Sequence, residues 1–524
     1  MAAALLLHQH ILSGISCLLD QRITIKLTPR PYLFRRRWFC SPVTRSRAVL
    51  HALHLASTFA CNVVGVNTLR EAGSRAGSLA LLHITPLFFG QQFSLAAELL
   101  GVSLKAYRIL HEAFGIMAVV QSTVHVIISA WDRVFDLGDR ALRYGFVAAV
   151  ALAVLFVIVQ PWIRSLAYDL YIPSHILLSI ATLIMVWLHL GQPINFRELH
   201  AICMILAAGL FSSMIALHIV RVVLRNMPSP LAIADVIRKD GAVELTFRPP
   251  RAWKVRPGQH VYLRVPAVSF WSFTQSHPFN IIWSEDEPNA TSVSVIAKVE
   301  SGFTRALAGG SHRRLRVIVD GPYESLGMDL WEEMYSYDAV VLFATGIGIT
   351  GQLLYVRELL RRFISEQKAM TERGGGVRKH RISVIWEVEE QYCHEWICDW
   401  MDQLLVEDDE TLVGLPQIHR TEMLTLSQIL NISLYVKNNA DRLQWGEKSS
   451  RRIQKHVGKA NPQTVLVREL QEWPTKMLVT VSASATVRDE IRDITISEKR
   501  LHFQELAFQP SEVSAGYWAP QKAL

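Results

Sequence analysis

In LHEAFGIMAVVQSTVHV (residues 110–126), His111 and His125 interrupt an apolar run. These two histidines lie fourteen residues apart, and the same interval separates His175 and His189 in a second apolar run. Ionisable side chains inside a membrane-spanning helix are costly and usually functional. The repeated interval therefore predicts two helices that carry a shared functional site.

Helix geometry explains why the interval matters. Fourteen residues of α-helix rise about 21 Å and complete nearly four turns, so both histidines of a pair lie on one face at two depths. Two such helices facing each other would offer one histidine pair at each depth, which suits two stacked haems with two imidazole ligands each. An iron with both axial positions filled passes single electrons and has no open site for a ligand. The alternative is that these histidines only pack helices, bonded to a hydroxyl or a carbonyl.

Other histidines compete for this role. His200 and His218 are eighteen residues apart and would also share a helix face. His51, His54 and His83 lie in further apolar runs. Spacing alone does not exclude any of them. We prefer the first set because two helices carry the same interval in the same polarity.

The apolar residues are concentrated in one part of the chain. Of the 524 residues, 50% are hydrophobic, and the longest apolar runs lie between about 48 and 224. Crossing a bilayer takes roughly 20 residues of helix, which these runs supply. We therefore predict a membrane protein with a six-helix transmembrane haem-binding bundle and a tail of soluble character. The six predicted spans are residues 48–68, 78–100, 105–130, 143–163, 173–191 and 201–224.

The charge pattern predicts the orientation in the membrane. The net charge is +8, and a basic run at 30–47 precedes the first predicted span. Beside a membrane segment such a run marks the cytoplasmic side, which is favoured here over nucleic-acid binding. With the N-terminus inside, the inner segments hold fourteen Lys and Arg residues and the outer segments six. This bias predicts a cytosolic tail, in which the glycosylation sequons at Asn289 and Asn431 are unused.

The tail changes its period at about 232. Alternating segments such as VELTFRPP and TSVSVIAKV predict a β-barrel or sandwich up to about 325. From 338 a buried strand, a glycine turn and a helix follow one another, which predicts an α/β domain with a parallel sheet. Two polar segments, 366–381 and 438–463, are predicted as loops. The predicted domains are a basic N-terminal segment (1–47), the membrane bundle (48–225), the β-barrel (228–330) and the α/β domain (338–524).

The tail also contains His277-Pro278-Phe279 at the end of a predicted strand. On this motif and the paired histidines, residues 48–524 resemble the ferric reductase transmembrane family, the fungal metalloreductases related to the NADPH oxidases. The resemblance implies that the β-barrel binds FAD, with this motif lining the flavin ring, and that the α/β domain binds NADPH. It also implies a flavin-phosphate segment and a turn between the two tail domains. The residues that match the flavin-phosphate segment are Lys298, Gly302 and Thr304. Those that match the turn are Gly321, Pro322 and Tyr323.

The stretch ATGIGIT supports the NADPH expectation on physical grounds. Gly346 and Gly348 follow a buried strand and precede a helix. Small residues there let backbone N–H groups approach a phosphate, and the helix N-terminus favours its charge. With Thr350 they match the family's NADPH loop. The alternative is a tight turn between a strand and a helix.

Three places depart from the family pattern. Asn280 stands where Thr or Ser is common, and Glu324 stands where Gly is usual. The family's Cys-Gly-Pro near the nicotinamide is replaced by Ser482, Ala483 and Ser484. These departures concern hydride transfer more than haem binding.

The resemblance implies that electrons pass from cytosolic NADPH through FAD and two b-type haems to an external acceptor. That acceptor is ferric iron, free or chelated, or cupric copper, and an iron permease or multicopper oxidase would be a functional partner. The short segment GQPINFRELH (191–200) favours a metal chelate over oxygen, because it offers little to cover the outer haem. The alternatives are an NADPH oxidase producing superoxide, and a transporter or haem-carrying membrane protein with a degenerate tail. The expected location is the plasma membrane, with the vacuolar membrane as the alternative.

Overall fold

The computed structural model divides the chain into two compact units, Met1–Val220 with Val513–Leu524, and Arg221–Glu512. Of the predicted basic segment 1–47, only 32–34 and 43–47 belong to the described residues. The described residues are 32–34, 43–132, 138–160, 163, 168–191, 198–227, 231–268, 275–285, 288–300, 302–324, 334–372, 380–388, 391–413, 429–436 and 452–506.

The described residues before 228 form seven helices and a small two-stranded sheet, β1 (Tyr32–Phe34) with β2 (Val43–Thr44). Four of these helices, α4 to α7, are long and apolar enough to cross a membrane, and α1 contains a shorter apolar stretch. The helices are α1 (Arg45–Val63), α2 (Leu69–Leu87), α3 (Phe93–Leu99), α4 (Leu104–Asp132), α5 (Arg140–Ile158), α6 (Tyr168–His189) and α7 (Leu199–Asn226).

The second predicted span, 78–100, is wrong as a single helix. Helix α2 begins nine residues earlier, because the Thr68 hydroxyl accepts a hydrogen bond from the Glu71 N–H at 3.2 Å and caps it. It ends one residue after Pro86, and a turn separates it from α3. The charged first turn hid the start of this helix from a search for apolar residues.

In the second unit, residues 232–324 form a seven-stranded antiparallel sheet in the order β6-β5-β9-β3-β4-β8-β7. Alternating buried residues such as Val261, Leu263 and Val265 form its core, as the period-two pattern predicts. Helix α8 (Gly302–Gly309) lies between the last two strands in sequence. The strands are β3 (Ala232–Lys239), β4 (Ala242–Phe247), β5 (Gln259–Arg264), β6 (His277–Asn280), β7 (Trp283–Glu285), β8 (Ser292–Lys298) and β9 (Arg314–Glu324).

Residues 339–505 form a six-stranded parallel sheet in the order β13-β12-β11-β10-β14-β15. Strand β10, the first in sequence, lies in the interior between β11 and β14, so the strand order reverses beside it. The strands are β10 (Ala339–Thr345), β11 (Arg381–Val388), β12 (Leu430–Val436), β13 (Ile453–Val457), β14 (Met477–Ser482) and β15 (Leu501–Glu505). The helices are α9 (Leu353–Glu372), α10 (Cys398–Val413), α11 (Pro462–Glu472) and α12 (Ala485–Ser497).

Both predicted loops of the α/β domain are partly wrong. The segment 366–381 starts inside α9, which runs on to Glu372. The segment 438–463 contains β13, an edge strand on which only Ile453 is fully buried. An edge strand with polar side chains carries no apolar alternation, so its sequence resembles a loop.

Candidate functional site

Helices α4 and α6 bring the four predicted histidines together in two pairs. The ring centroids of His111 and His175 lie 6.5 Å apart, with an interplanar angle of 55°. Those of His125 and His189 lie 6.2 Å apart, at 72°. The partners are those predicted from the fourteen-residue interval, one from each helix at each level.

These separations fit a metal ion between each pair. Two imidazoles that bond one metal from opposite sides, through bonds of about 2 Å, hold their ring centroids roughly 6 Å apart. Direct hydrogen bonding would bring them closer, as between His54 and His83, whose Nε2 atoms are 3.1 Å apart and whose centroids are 5.2 Å apart. Each pair offers one imidazole on either side of a metal, which suits a bis-imidazole haem.

The Nδ1 atoms of the two pairs differ in their partners. Nδ1 of His125 bonds to the Gly73 carbonyl at 2.8 Å, and Nδ1 of His189 bonds to the Ala141 carbonyl at 2.7 Å. These bonds engage Nδ1, and a metal would bind each ring through Nε2. Among the described residues, the buried Nδ1 atoms of His111 and His175 have no hydrogen-bond partner.

The competing histidines lie in other arrangements. His54 and His83 bond to each other, and Nδ1 of His83 also bonds to the Leu79 carbonyl at 2.7 Å. His200 forms an ion pair with Glu198 at 2.7 Å. In these three histidines, the contacts occupy ring nitrogens that a metal would need.

The predicted flavin motif forms β6, the edge strand of the antiparallel sheet. The His277 ring stacks on Phe303 of α8, with centroids 3.8 Å apart and an angle of 14°. Its Nε2 is buried and, among the described residues, has no hydrogen-bond partner. Burial lowers the pKa of His277 to about 4, so the ring is neutral at physiological pH. A neutral imidazole with a free nitrogen fits a polar ligand such as flavin.

The other two residues of the motif pack within the sheet. Phe279 is only 4% exposed and belongs to the core of the sheet. Pro278 is half-buried and pairs with Tyr262 of β5. Asn280, the first departure from the family pattern, is also buried.

The predicted phosphate segment surrounds the start of α8. Gly302 is exposed and has φ of +55°, a conformation that favours glycine. The Thr304 hydroxyl accepts a hydrogen bond from the Glu300 N–H at 3.0 Å, which fixes the chain entering the helix. Lys298 ends β8 just before this turn. A helix N-terminus with a nearby lysine suits a phosphate.

The predicted turn at Gly321-Pro322-Tyr323 is instead part of β9. Tyr323 is 1% exposed, and its hydroxyl donates to Asp320 at 2.7 Å. Burial, reinforced by the Asp320 charge, raises the pKa of Tyr323. Glu324, which stands where the family usually has Gly, forms an ion pair with exposed Arg256 at 3.1 Å. The Tyr323 side chain is therefore buried and hydrogen-bonded to Asp320 of the same strand.

The end of α7 binds this strand. Arg225 Nε donates to the Gly321 carbonyl at 2.6 Å, and the Arg221 guanidinium lies 4.6 Å above the Tyr323 ring. Asn226 donates to the Val319 carbonyl at 2.8 Å and accepts from its N–H at 3.1 Å. Sequence reasoning missed these residues, because nothing in the apolar period marks the last turn of a helix as a binding surface.

The predicted nucleotide loop, Gly346–Gly351, is a short 3₁₀ turn between β10 and α9. Gly346 has φ of +50°, and its carbonyl accepts a hydrogen bond from Trp386 Nε1 at 2.9 Å. Gly348 and Thr350 are buried, and the Thr350 hydroxyl donates to the Ile347 carbonyl at 2.7 Å. The loop lies where the strand order reverses, the place at which α/β sheets bind nucleotides.

Ser482 and Ser484, at the end of β14, face the same reversal point. The Ser484 N–H donates to the Thr345 hydroxyl at 2.7 Å, which joins the two strand ends. The Ser482 hydroxyl is buried and has no hydrogen-bond partner among the described residues. An unpaired buried hydroxyl at this edge fits a polar ligand such as the nicotinamide amide. Thr345 is a residue that sequence reasoning missed.

Three family models match the chain in the order of its domains. The first is described as "Ferric reductase like transmembrane component" and matches residues 76–186. An "FAD-binding domain" matches 230–326, and a "Ferric reductase NAD binding domain" matches 337–496. The chain is thus an N-terminal membrane region followed by FAD-binding and NAD-binding reductase domains.

Curated relatives include ferric reductases and an oxidase homologue. "Probable cell surface ferric reductase kap2" of Aspergillus oryzae is 26% identical over 355 residues, which are 62% of this chain and 44% of that protein. "Ferric reductase transmembrane component 3" of Saccharomyces cerevisiae is 25% identical over 304 residues, 55% of this chain and 40% of that protein. "Probable respiratory burst oxidase homolog protein I" of Arabidopsis thaliana is 24% identical over 292 residues, 44% of this chain and 29% of that protein. The chain therefore spans less than half the length of these relatives.

Proposed function

Because the chain belongs to the ferric reductase transmembrane family, we propose that it is an NADPH-dependent ferric-chelate reductase. In this proposal, the α/β domain would hold NADPH, the antiparallel sheet would hold FAD and the histidine pairs would hold two b-type haems. Together these cofactors would supply the chemistry that passes the two electrons of a hydride singly across the membrane. Ferric iron, free or chelated, or cupric copper receives them outside, and the activity supports iron uptake.

The observation that supports the proposal most directly is the arrangement of four histidines in two facing pairs. Two helices place four histidines at two levels, with ring centroids 6.5 and 6.2 Å apart. In the proposal, the first pair binds the inner haem and the second pair binds the outer haem. A packing role would leave no reason for the same near-6 Å separation twice.

The second unit would supply the electrons. His277, with its free Nε2, and the start of α8 at Gly302 would hold the flavin ring and its phosphates. Gly346 and Gly348 would approach the NADPH phosphates, and the Ser482 hydroxyl would hold the nicotinamide end. These residues bind and orient, and the redox chemistry belongs to the cofactors.

The membrane arrangement is also part of the proposal. We assign six crossings, by α1, α2 and α4 to α7, with the tail in the cytosol and the protein in the plasma membrane. The distribution of Lys and Arg supports this orientation. The exposed sequon at Asn289 would then carry no glycan, whereas Asn431 lies within β12.

The acceptor is assigned from the relatives and from sequence. Residues 192–197, on which the argument for an open outer haem depends, lie outside the described residues. An iron permease or a multicopper oxidase would use the ferrous product. A superoxide-producing NADPH oxidase is the second candidate, and the similarity to a respiratory burst oxidase homologue favours it.

One experiment separates the two functions. Membranes containing the chain are given NADPH and a ferric chelate in air-saturated buffer, with and without superoxide dismutase. Ferrous iron trapped by a dye is counted per NADPH consumed. We expect iron to receive most of the electrons and the dismutase to change little. If the dismutase abolishes iron reduction, the protein is an oxidase; if NADPH reduces neither acceptor, the reductase proposal fails.

A further inference from the structure

Helix α2 holds one of the outer imidazoles by two features of its backbone. The Gly73 carbonyl accepts a hydrogen bond from Nδ1 of His125 at 2.8 Å. One helical turn later, Gly77 lies against the same ring, and a Cβ at this position would come within 3.0 Å of Nδ1. A side chain at 77 would therefore crowd the space that the imidazole occupies.

Helix α5 repeats this arrangement for the other outer imidazole. The Ala141 carbonyl accepts from Nδ1 of His189 at 2.7 Å. One turn later, a Cβ on Gly145 would come within 2.6 Å of the same Nδ1. Each helix thus offers a carbonyl at residue i and a glycine at i+4 to one imidazole, and we call this pair of features an imidazole notch.

The inner pair is held differently. A Cβ on Gly90 would come within 2.7 Å of Nδ1 of His111, so this ring also lies against a glycine. However, the buried Nδ1 atoms of His111 and His175 have no hydrogen-bond partner among the described residues. Within the described part of the chain, the inner rings therefore lack the carbonyl half of the notch.

This difference has a chemical consequence for a bound metal. An Nδ1–H that donates to a carbonyl fixes the tautomer and ring orientation, and raises the basicity of the ligating nitrogen. A more basic axial ligand stabilises ferric over ferrous iron and so lowers the reduction potential. The notches would act on the outer pair in this way and not on the inner pair.

We propose that Gly77 and Gly145, with the carbonyls of Gly73 and Ala141, are positioning residues that orient the outer imidazoles and set their basicity. The proposal rests on the proposed function, because it requires haem iron between the histidines. It makes the two haems electronically distinct through the carbonyls and glycines that contact Nδ1 of the outer imidazoles.

The first test replaces a histidine by a soluble ligand. His189→Gly, in the purified full-length chain, is titrated with imidazole or with 1-methylimidazole while the haem spectrum is recorded. Imidazole keeps an N–H for the Ala141 carbonyl, whereas the methylated ring does not. We expect imidazole to restore the two-imidazole spectrum at about tenfold lower concentration, the effect of one hydrogen bond.

The matched control is His175→Gly. Among the residues that the structure describes, its Nδ1 has no hydrogen-bond partner, so both ligands should restore the inner haem at similar concentrations. Equal titrations of the two ligands in His189→Gly would overturn the proposal, and so would an equally strong preference for imidazole in the control.

The second test fills the notches. Gly145→Ala and Gly77→Ala should keep the inner haem and change the electron paramagnetic resonance signal and midpoint potential of the outer one, Gly145→Ala more strongly. Gly115→Ala and Gly209→Ala are the controls, because a Cβ at either position meets no atom within 4 Å. Loss of the outer haem alone also supports the notch, whereas unchanged signals or loss of both haems contradict it.

A haem count keeps this inference separate from the proposed function. A wild-type chain that binds no haem contradicts the function itself. Two haems per chain, with no effect of the notch variants, contradict only the inference.

Discussion

The Nε2 atoms of His54 and His83 lie 3.1 Å apart, so these buried imidazoles bond to each other and leave no room for a metal ion between them. The ring centroids of His125 and His189, by contrast, are 6.2 Å apart. The same residue type therefore forms a hydrogen-bonded pair and a ligand-like pair within one membrane unit.

This contrast predicts haem content. His125→Ala should lose the outer haem and His111→Ala the inner one, because each removes one of two axial ligands. His83→Ala and His200→Ala should keep both haems. Pyridine haemochrome assay of the purified chain gives the count. Equal haem loss in the control variants would contradict the ligand assignment.

The flavin motif predicts a separation of two electron sources. His277→Ala should slow haem reduction by NADPH about tenfold or more, because the flavin loses a ring contact and a hydrogen-bonding nitrogen. Dithionite, which reduces haem without flavin, should act as in the wild type. We choose His277 alone because Phe279 is a core residue whose loss would destabilise the sheet. Stopped-flow absorbance measures both rates, and a wild-type rate with NADPH would place the flavin elsewhere.

Ser482 predicts an effect on NADPH binding. Ser482→Ala removes the unpaired buried hydroxyl at the end of β14, and we expect the KM for NADPH to rise about tenfold. Ser497→Ala, in which an exposed hydroxyl that donates to the Ile494 carbonyl is lost, serves as the control. Steady-state ferric-chelate reduction gives the KM for NADPH of both variants. An unchanged KM in Ser482→Ala would show that this hydroxyl does not contact the nucleotide.

The Asn226 side chain predicts a stability effect. It bonds both backbone groups of buried Val319, so Asn226→Ala leaves an N–H and a carbonyl unpaired and should cost roughly 2 kcal/mol. Arg251→Ala, which loses an exposed contact to the Met227 carbonyl, should change stability by about 0.5 kcal/mol or less. Thermal unfolding followed by tryptophan fluorescence compares them. Equal shifts in the two variants would argue against the Asn226 contact.

His277 also predicts a pH dependence. Its pKa of about 4 in the folded chain lies below its ordinary value of 6.5, so the unfolded chain binds more protons between these values. Stability should therefore fall as pH falls from about 6.5 to about 4, by roughly 1–2 kcal/mol for a half-buried ring. His277→Phe keeps a ring against Phe303 and should flatten this part of the profile. Chemical unfolding at several pH values measures the slope, and an unaltered slope would assign it to other groups.

The histidine pairing could be predicted from sequence because the same interval recurs, in the same polarity, on two helices. A fixed interval on a regular helix determines both face and depth, so two matching intervals imply two matching levels. The order of the tail domains was similarly visible in the change from period two to buried runs. The matching intervals already favoured His125 over His54, but only the coordinates show that His54 bonds to His83.

The remaining features depend on contacts between distant parts of the chain. Thr345 and Ser484 meet at the ends of neighbouring strands although 139 residues separate them, and no local pattern records that meeting. The contact between Asn226 and Val319 could not be predicted for the same reason. Strand β13 was not predicted because it lies at the edge of the sheet. The glycines of the notches were not predicted because they contact a histidine on a neighbouring helix.

The order of strands in the parallel sheet determines when each domain can fold during protein synthesis. The antiparallel sheet is complete once β9 ends at Glu324, so this part can fold while translation continues. Strand β10, by contrast, must wait for β14, whose first residue is Met477. Until then one long edge of β10 stays unpaired and apolar, a target for chaperones and for aggregation. A ribosome that stalls between these two strands would therefore release a chain with a folded flavin sheet and no nucleotide site.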